Sequence, residues 1–236
     1  MNTDTDIIID IETLGTRPGC PIIEIGACAV ETATGRIFEE FSMRVNPGIH
    51  FETVKAAGLG QDPYSDPHSD FAKTCAWWMR DTERTGVLAA IMNPVNEIAD
   101  LRTALGCLRD WMLRRMPDPK RARVWGNGPS FDIAILDQAY RDNGIERPWI
   151  CWQERCVRTA LDLAGHQRGS VKWAEAGPRH RALYDARHEA RKLWLSGALG
   201  AGGFIARQER EQIIAGLVSR GTITQADADR LLGKGA

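Results

Sequence analysis

The apolar positions of this chain follow two different periods. Residues 6–11, 22–30 (IIEIGACAV) and 36–45 (RIFEEFSMRV) are runs rich in β-branched residues, the pattern of strands. Gly35 sits between the second and third runs, and the short spacing predicts a hairpin. Residues 46–68 are polar and carry Pro47, Pro63 and Pro67, which predicts a loop. Segment 69–92, with Trp77-Trp78, reads as helical, and in 95–115 Ile98, Leu101, Leu105, Leu108 and Met112 recur at helical spacing. A short strand at 123–126 (RVWG) is followed by helices over 130–142, 156–164 and 181–199. Antiparallel strands followed by alternation of strands and helices predict an α/β domain with a mixed sheet covered by helices. Gly200, Gly202 and Gly203 mark a break. Beyond it, 204–232 reads as two short helices around Gly221-Thr222-Ile223-Thr224, with Thr224 as the N-cap of the second. The expected division is a main domain over 1–200 and a helical hairpin appended at 204–232.

Composition narrows the class. The 236 residues suffice for one sizeable domain and a small appendage, and the 43% hydrophobic and 26% charged fractions are those of a soluble globular protein. No apolar run reaches membrane-spanning length, and the polar start MNTDTD is neither signal nor transit peptide, so a cytoplasmic protein without membrane contact is expected. The six cysteines (20, 28, 75, 107, 151, 156) form no zinc pattern and read as reduced thiols. The formal net charge of -1 hides an asymmetry: residues 1–100 carry 7 Lys/Arg against 16 Asp/Glu, and residues 101–236 carry 23 against 15. An acidic site beside a basic surface suits a metal-dependent enzyme that grips a polyanion, and helices rich in surface Arg would give the same count. No GxxxxGK[ST] segment is present, which excludes a P-loop nucleotide hydrolase.

Candidate chemistry begins in the most hydrophobic stretch, IIIDIETLG at 7–15. Side chains alternate along a strand, so Asp10 and Glu12 share a face. Either the strand ends at Ile9 and both acids are solvated, or a divalent cation relieves their repulsion. Asp132 follows a Gly-rich turn at the start of a helix, where the helix dipole favours an acid. His180 lies at the mouth of the late helix and Asp185 within it. Each of these residues alone has an ordinary structural explanation.

Together, DIETLG at 10–15, GNGPSFD at 126–132 and HRALYD at 180–185 resemble the motifs of the DnaQ-like, DEDDh-type 3'-5' exonuclease superfamily, in that family's order across about residues 6–195. The HxxxxD spacing separates the chain from the sister class with a YxxxD pattern, because Ala182 lies three before Asp185. The Trp-Trp pair between the first and second motifs is similar to that of the small single-domain phage and bacterial exonucleases. The resemblance implies a ribonuclease H-like five-stranded mixed sheet. It implies release of nucleoside 5'-monophosphates from nucleic acid 3' ends, with single-stranded DNA slightly favoured over RNA. It further implies two divalent cations, Mg²⁺ or Mn²⁺, held by Asp10, Glu12, Asp132 and Asp185, with His180 as general base. The expected substrate contacts are Thr13 and Leu14, cradling and wedging the terminal nucleotide, Phe131 beside its base or sugar, and one of Trp77 and Trp78 as a stacking surface. Arg155, Arg158, Lys172, Arg179 and Arg181 are candidate phosphate contacts, and His188 lies near Asp185 on the same helix. His50, His68 and His166 read as solvated loop residues. An exoribonuclease is the first alternative. An accessory or proofreading-type protein, docking a partner or a second copy through 204–232, is the other.

Overall fold

A computed structural model describes residues 5–63, 65–93, 98–116, 122–128, 130–165, 171–197, 199 and 207–232. Five strands form one sheet in the order β3-β2-β1-β4-β5: β1 (Thr5–Thr13), β2 (Ile22–Glu31), β3 (Ile37–Arg44), β4 (Arg123–Gly126) and β5 (Glu154–Cys156). β1, β2 and β3 are antiparallel neighbours, and β4 and β5 run parallel to β1. This is the mixed sheet that the sequence predicts. β5 has only three residues and no apolar alternation, so its strand character comes from pairing with β4.

The central strand is apolar on both faces because helices cover both. Ile7, Ile9 and Ile11 face a core completed by Leu105, Leu108 and Met112 of α4 (Leu101–Arg115) and by Ile135 and Leu136 of α5 (Asp132–Asp142). Ile8, on the opposite face, packs with Cys28, Trp125, Val157 of α6 (Val157–Leu163), and Ala186, Ala190 and Leu193 of α7 (Ala182–Leu195). Asp10 and Glu12 are two and four residues beyond Ile8, on the face that α7 covers.

Three boundaries differ from the sequence expectation. The loop at 46–68 contains a helix, α1 (Phe51–Gly58), whose Val54 and Ala57 are buried against α2 (Asp70–Trp78) in a separate cluster with Leu14, Ile23 and Trp78. The helix expected over 69–92 is two. α2 ends at Trp78, and Asp81 caps α3 (Thr82–Ile91) by accepting the Arg84 N–H at 2.9 Å. α4 starts at Leu101 because Asp100 caps it, accepting the Thr103 N–H at 2.9 Å, so Ile98 precedes the helix, and 94–97 lie outside the described residues.

The segment 204–232 holds α8 (Arg207–Ser219) and α9 (Gln225–Leu231). Thr224 caps α9: its hydroxyl accepts the Asp227 N–H at 3.1 Å, and Asp227 returns a bond to the Thr224 N–H. Ile214, Ile223, Ala228 and Leu231 bury Leu195 at the end of α7 together with Val171. Among the described residues no helix is long and apolar enough to cross a membrane.

Candidate active site

Two glycines bring the acidic side chains together. Asp10 pairs across the ladder with Gly26 of β2, and α7 crosses directly over it. A Cβ at Gly26 would lie 2.1 Å from the Leu183 nitrogen, so only glycine allows α7 to approach this closely. At Gly126, the last residue of β4, a Cβ would lie 3.1 Å from that of Asp132. Glu24 fixes the start of α7. Its carboxylate accepts the Ala182 N–H at 2.9 Å and forms a two-nitrogen ion pair with Arg181, at 2.8 and 3.0 Å to one oxygen. This corrects the expectation for Arg181, whose guanidinium is committed to a buried carboxylate rather than to substrate phosphate.

Asp132 is 1% exposed and spans the gap beyond the short β4. One carboxylate oxygen accepts the Ile11 N–H at 3.3 Å and the other the Asn127 N–H at 2.7 Å. Asp185 accepts the His180 N–H at 2.7 Å. Among the described residues no donor bonds the carboxylates of Asp10 or Glu12. Burial first, and then Asp132, Glu189, Glu12 and Asp185, push Asp10 well above the carboxylate range. Burial and then Asp185 do the same to Glu12. Burial also raises Asp132 and Asp185, each to about 6. Asp6, on the same face of β1, is 0% exposed but fully partnered: Arg123 donates twice, at 2.7 and 2.8 Å, Trp125 at 2.6 Å and Thr32 at 2.5 Å. Isolated buried carboxylates are costly. Among the described residues none of the four at the site, two buried and two half-buried, forms an ion pair, and their hard oxygen donors suit a divalent cation such as Mg²⁺ or Mn²⁺. One ligand atom each of Glu12, His180 and Asp185 lie within 4.8 Å of one another.

His180 has φ 62°, the one left-handed non-glycine residue among those described. Its ring meets Trp77 edge to face at 4.9 Å, and the Arg84 guanidinium covers Trp77 at 4.5 Å. Burial, and then the Arg84 cation, hold His180 below the ordinary imidazole value.

These groups line a cleft of about 580 Å³. Thr13, Phe131, Trp77 and Arg158 line it, and so do Thr16, Asp70 and Lys73, which sequence reasoning did not single out. The side chain of Leu14 is fully buried with Ile23, Val54 and Trp78 and does not line the cleft, so the structure gives no support to its expected wedge against a base. Trp78 is likewise 1% exposed, with its indole N–H donated to the Thr13 carbonyl at 3.0 Å, which makes it a wall rather than a stacking platform. Phe131 is partly buried and also packs on the core under the sheet. Arg155 donates to the carbonyls of Trp152 and Glu154, Arg179 lies over Trp173, and neither they nor Lys172 line the cleft. His188 packs on Trp173 and is also outside it; His166 lies outside the described residues. Glu189, 3% exposed, is a further acid of the cleft. Its place four residues after Asp185, on the same helix face, is the one signal that the sequence carries for it.

A five-stranded mixed sheet with its acids gathered at the end of the central strand is the ribonuclease H-like arrangement of a DEDDh 3'-5' exonuclease. Residues 5–195 match the family model described as the 3'-5' exoribonuclease Rv2179c-like domain. The chain belongs to that family. It is also similar to an exodeoxyribonuclease of enterobacteria phage T4, 25% identical over 171 residues, covering 66% of this chain and 70% of that protein. Its fold resembles the nuclease domain of 3'hExo, a DEDDh family member, bound to rAMP (TM-score 0.50, 18% identity, 84% of this chain and 94% of that one). It also resembles a 3'-exonuclease in 3'-end specific recognition of a histone mRNA stem-loop (TM-score 0.50, 18% identity, 84% and 85%).

Proposed function

We propose that the cleft hydrolyses the terminal phosphodiester at the 3' end of single-stranded nucleic acid and releases nucleoside 5'-monophosphates. The observation that carries this reading is the cluster of carboxylates beside His180 that line one cleft and form no ion pair among the described residues. Asp10, Glu12, Asp132 and Asp185 would hold two divalent cations. Bound there, such cations supply charge stabilisation to the phosphorane-like transition state and to the leaving oxygen. The protein's own groups do the rest. His180, held neutral by burial and by the Arg84 cation, accepts the proton of the attacking water at a ring nitrogen. Trp77 and Arg84 fix the ring's orientation. The left-handed backbone at His180 and its N–H bond to Asp185 tie the base to the acid cluster. Thr13 and Phe131 border the terminal nucleotide, Trp77 offers the cleft-facing part of its half-buried ring, and Arg158 and Lys73 face the phosphates.

RNA is placed first as substrate, ahead of the DNA that the sequence alone favoured, because the family covering 5–195 is described as exoribonucleases. DNA is the second reading, carried by the phage exodeoxyribonuclease. Digestion of matched 5'-labelled RNA and single-stranded DNA with Mn²⁺, Mg²⁺ or EDTA tests both. The expected result is a metal-dependent ladder shortening from the 3' end, faster on RNA and absent in Asp10→Ala. A faster DNA ladder would reverse the substrate order. Absence of any ladder would remove the proposal.

A further inference from the structure

The cleft holds two acids beyond the four-carboxylate arrangement: Asp70, which accepts both the N–H and the hydroxyl of Thr16, and Glu189. Glu189 lies on α7 one turn beyond Asp185, is 3% exposed and lines the cleft. Its Oε2 has no hydrogen-bond partner among the described residues. Two buried acids of the sheet outside the cleft are answered: Asp6 by Arg123, Trp125 and Thr32, and Glu24 by Arg181 and the Ala182 N–H. Lys192 and Arg158 influence Glu189 electrostatically, but neither forms an ion pair with it among the described residues. An unanswered carboxylate this deep is expensive unless a cation meets it.

Asp10, Glu12, Asp132 and Asp185 line the same cleft, and Glu12, His180 and Asp185 each place a ligand atom within 4.8 Å of the others. We infer that Glu189 is a further carboxylate of the metal centre. This rests on the metal-dependent reading above. Its consequence is tighter retention of a divalent cation in the cleft, where the Asp132 oxygens are already engaged by the N–H groups of Ile11 and Asn127.

The test is calorimetric titration of the full chain with Mn²⁺ alone, for wild type, Glu189→Gln and Glu189→Met, with the Mn²⁺-induced rise in melting temperature measured on the same samples. Circular dichroism identifies which variants fold, and the apolar Met variant serves if Gln is not tolerated. The expected result is that one Mn²⁺ site weakens by about tenfold or more in the variant, within the range for lost metal-site partners, and that the Mn²⁺-induced rise shrinks. A purely structural acid would change only the metal-free melting temperature. Variant and wild-type affinities within about twofold would overturn the inference and leave the metal centre standing. A wild type that takes up no Mn²⁺ would overturn both.

Discussion

Asp6 and Asp10 lie on one face of β1, four residues apart, in opposite circumstances. Asp6 is enclosed by Arg123, Trp125 and Thr32, whereas Asp10 is surrounded by other acids. Asp6→Asn should destabilise the protein by about 3 kcal/mol, because it strands a partly buried guanidinium. Asp10→Asn should raise the melting temperature in EDTA and abolish activity, because it removes one of several mutually repelling charges. Thermal melts with and without Mn²⁺ read both, and equal losses in the two variants would contradict the contrast. His180→Ala should lower kcat by ~10²–10⁴ while Mn²⁺ affinity, measured by titration, changes little. A loss below about tenfold would argue against a base at this position. At this scale Asp10, Glu12, Asp132, His180 and Asp185 could be named from sequence, since their spacing is a family pattern. Glu189 could not, because its only signal is the i,i+4 relation on α7. Nor could the burial of Leu14 and Trp78, which depends on α1 folding back over α2.

The elements act through close approach. Gly26 lets α7 lie on β2 at the level of Asp10, and this contact carries Asp185 and Glu189 to the cleft. Gly26→Ala should cost about 1–3 kcal/mol through overpacking and lower kcat at least tenfold by lifting α7 from the sheet. Melting and steady-state kinetics on the same variant check this, and normal kcat in a destabilised protein would contradict the positioning role. The long apolar strands and α4, α5 and α7 were legible because their periodicity is strong. α1 and β5 were not. α1 is an eight-residue helix stabilised by its contacts with α2, and β5 is a three-residue strand defined by pairing. The break between α2 and α3 turns on one capping residue, Asp81.

At the scale of the whole molecule, the acids of the cleft should lower stability when no metal is bound. Asp132 and Asp185 are raised from 3.8 to about 6 in the folded chain. A raised carboxyl binds more protons folded than unfolded, so stability is greatest below the unfolded value and falls as pH rises through about 4 to 6. In EDTA the melting temperature should therefore drop by on the order of 5 °C or more across that window. Saturating Mn²⁺ should oppose the drop, and identical pH profiles with and without Mn²⁺ would contradict the assignment. The same centre makes the chemical claim of the enzyme, that the cleft cleaves the P–O3' bond at a 3' terminus with metal-dependent hydrolysis. The most direct measurement is mass spectrometry of the products released from single-stranded RNA and DNA in Mn²⁺ and in EDTA. The account predicts nucleoside 5'-monophosphates, released one at a time from the 3' end and only with Mn²⁺. Products bearing a 3'-phosphate, or undiminished release in EDTA, would contradict it.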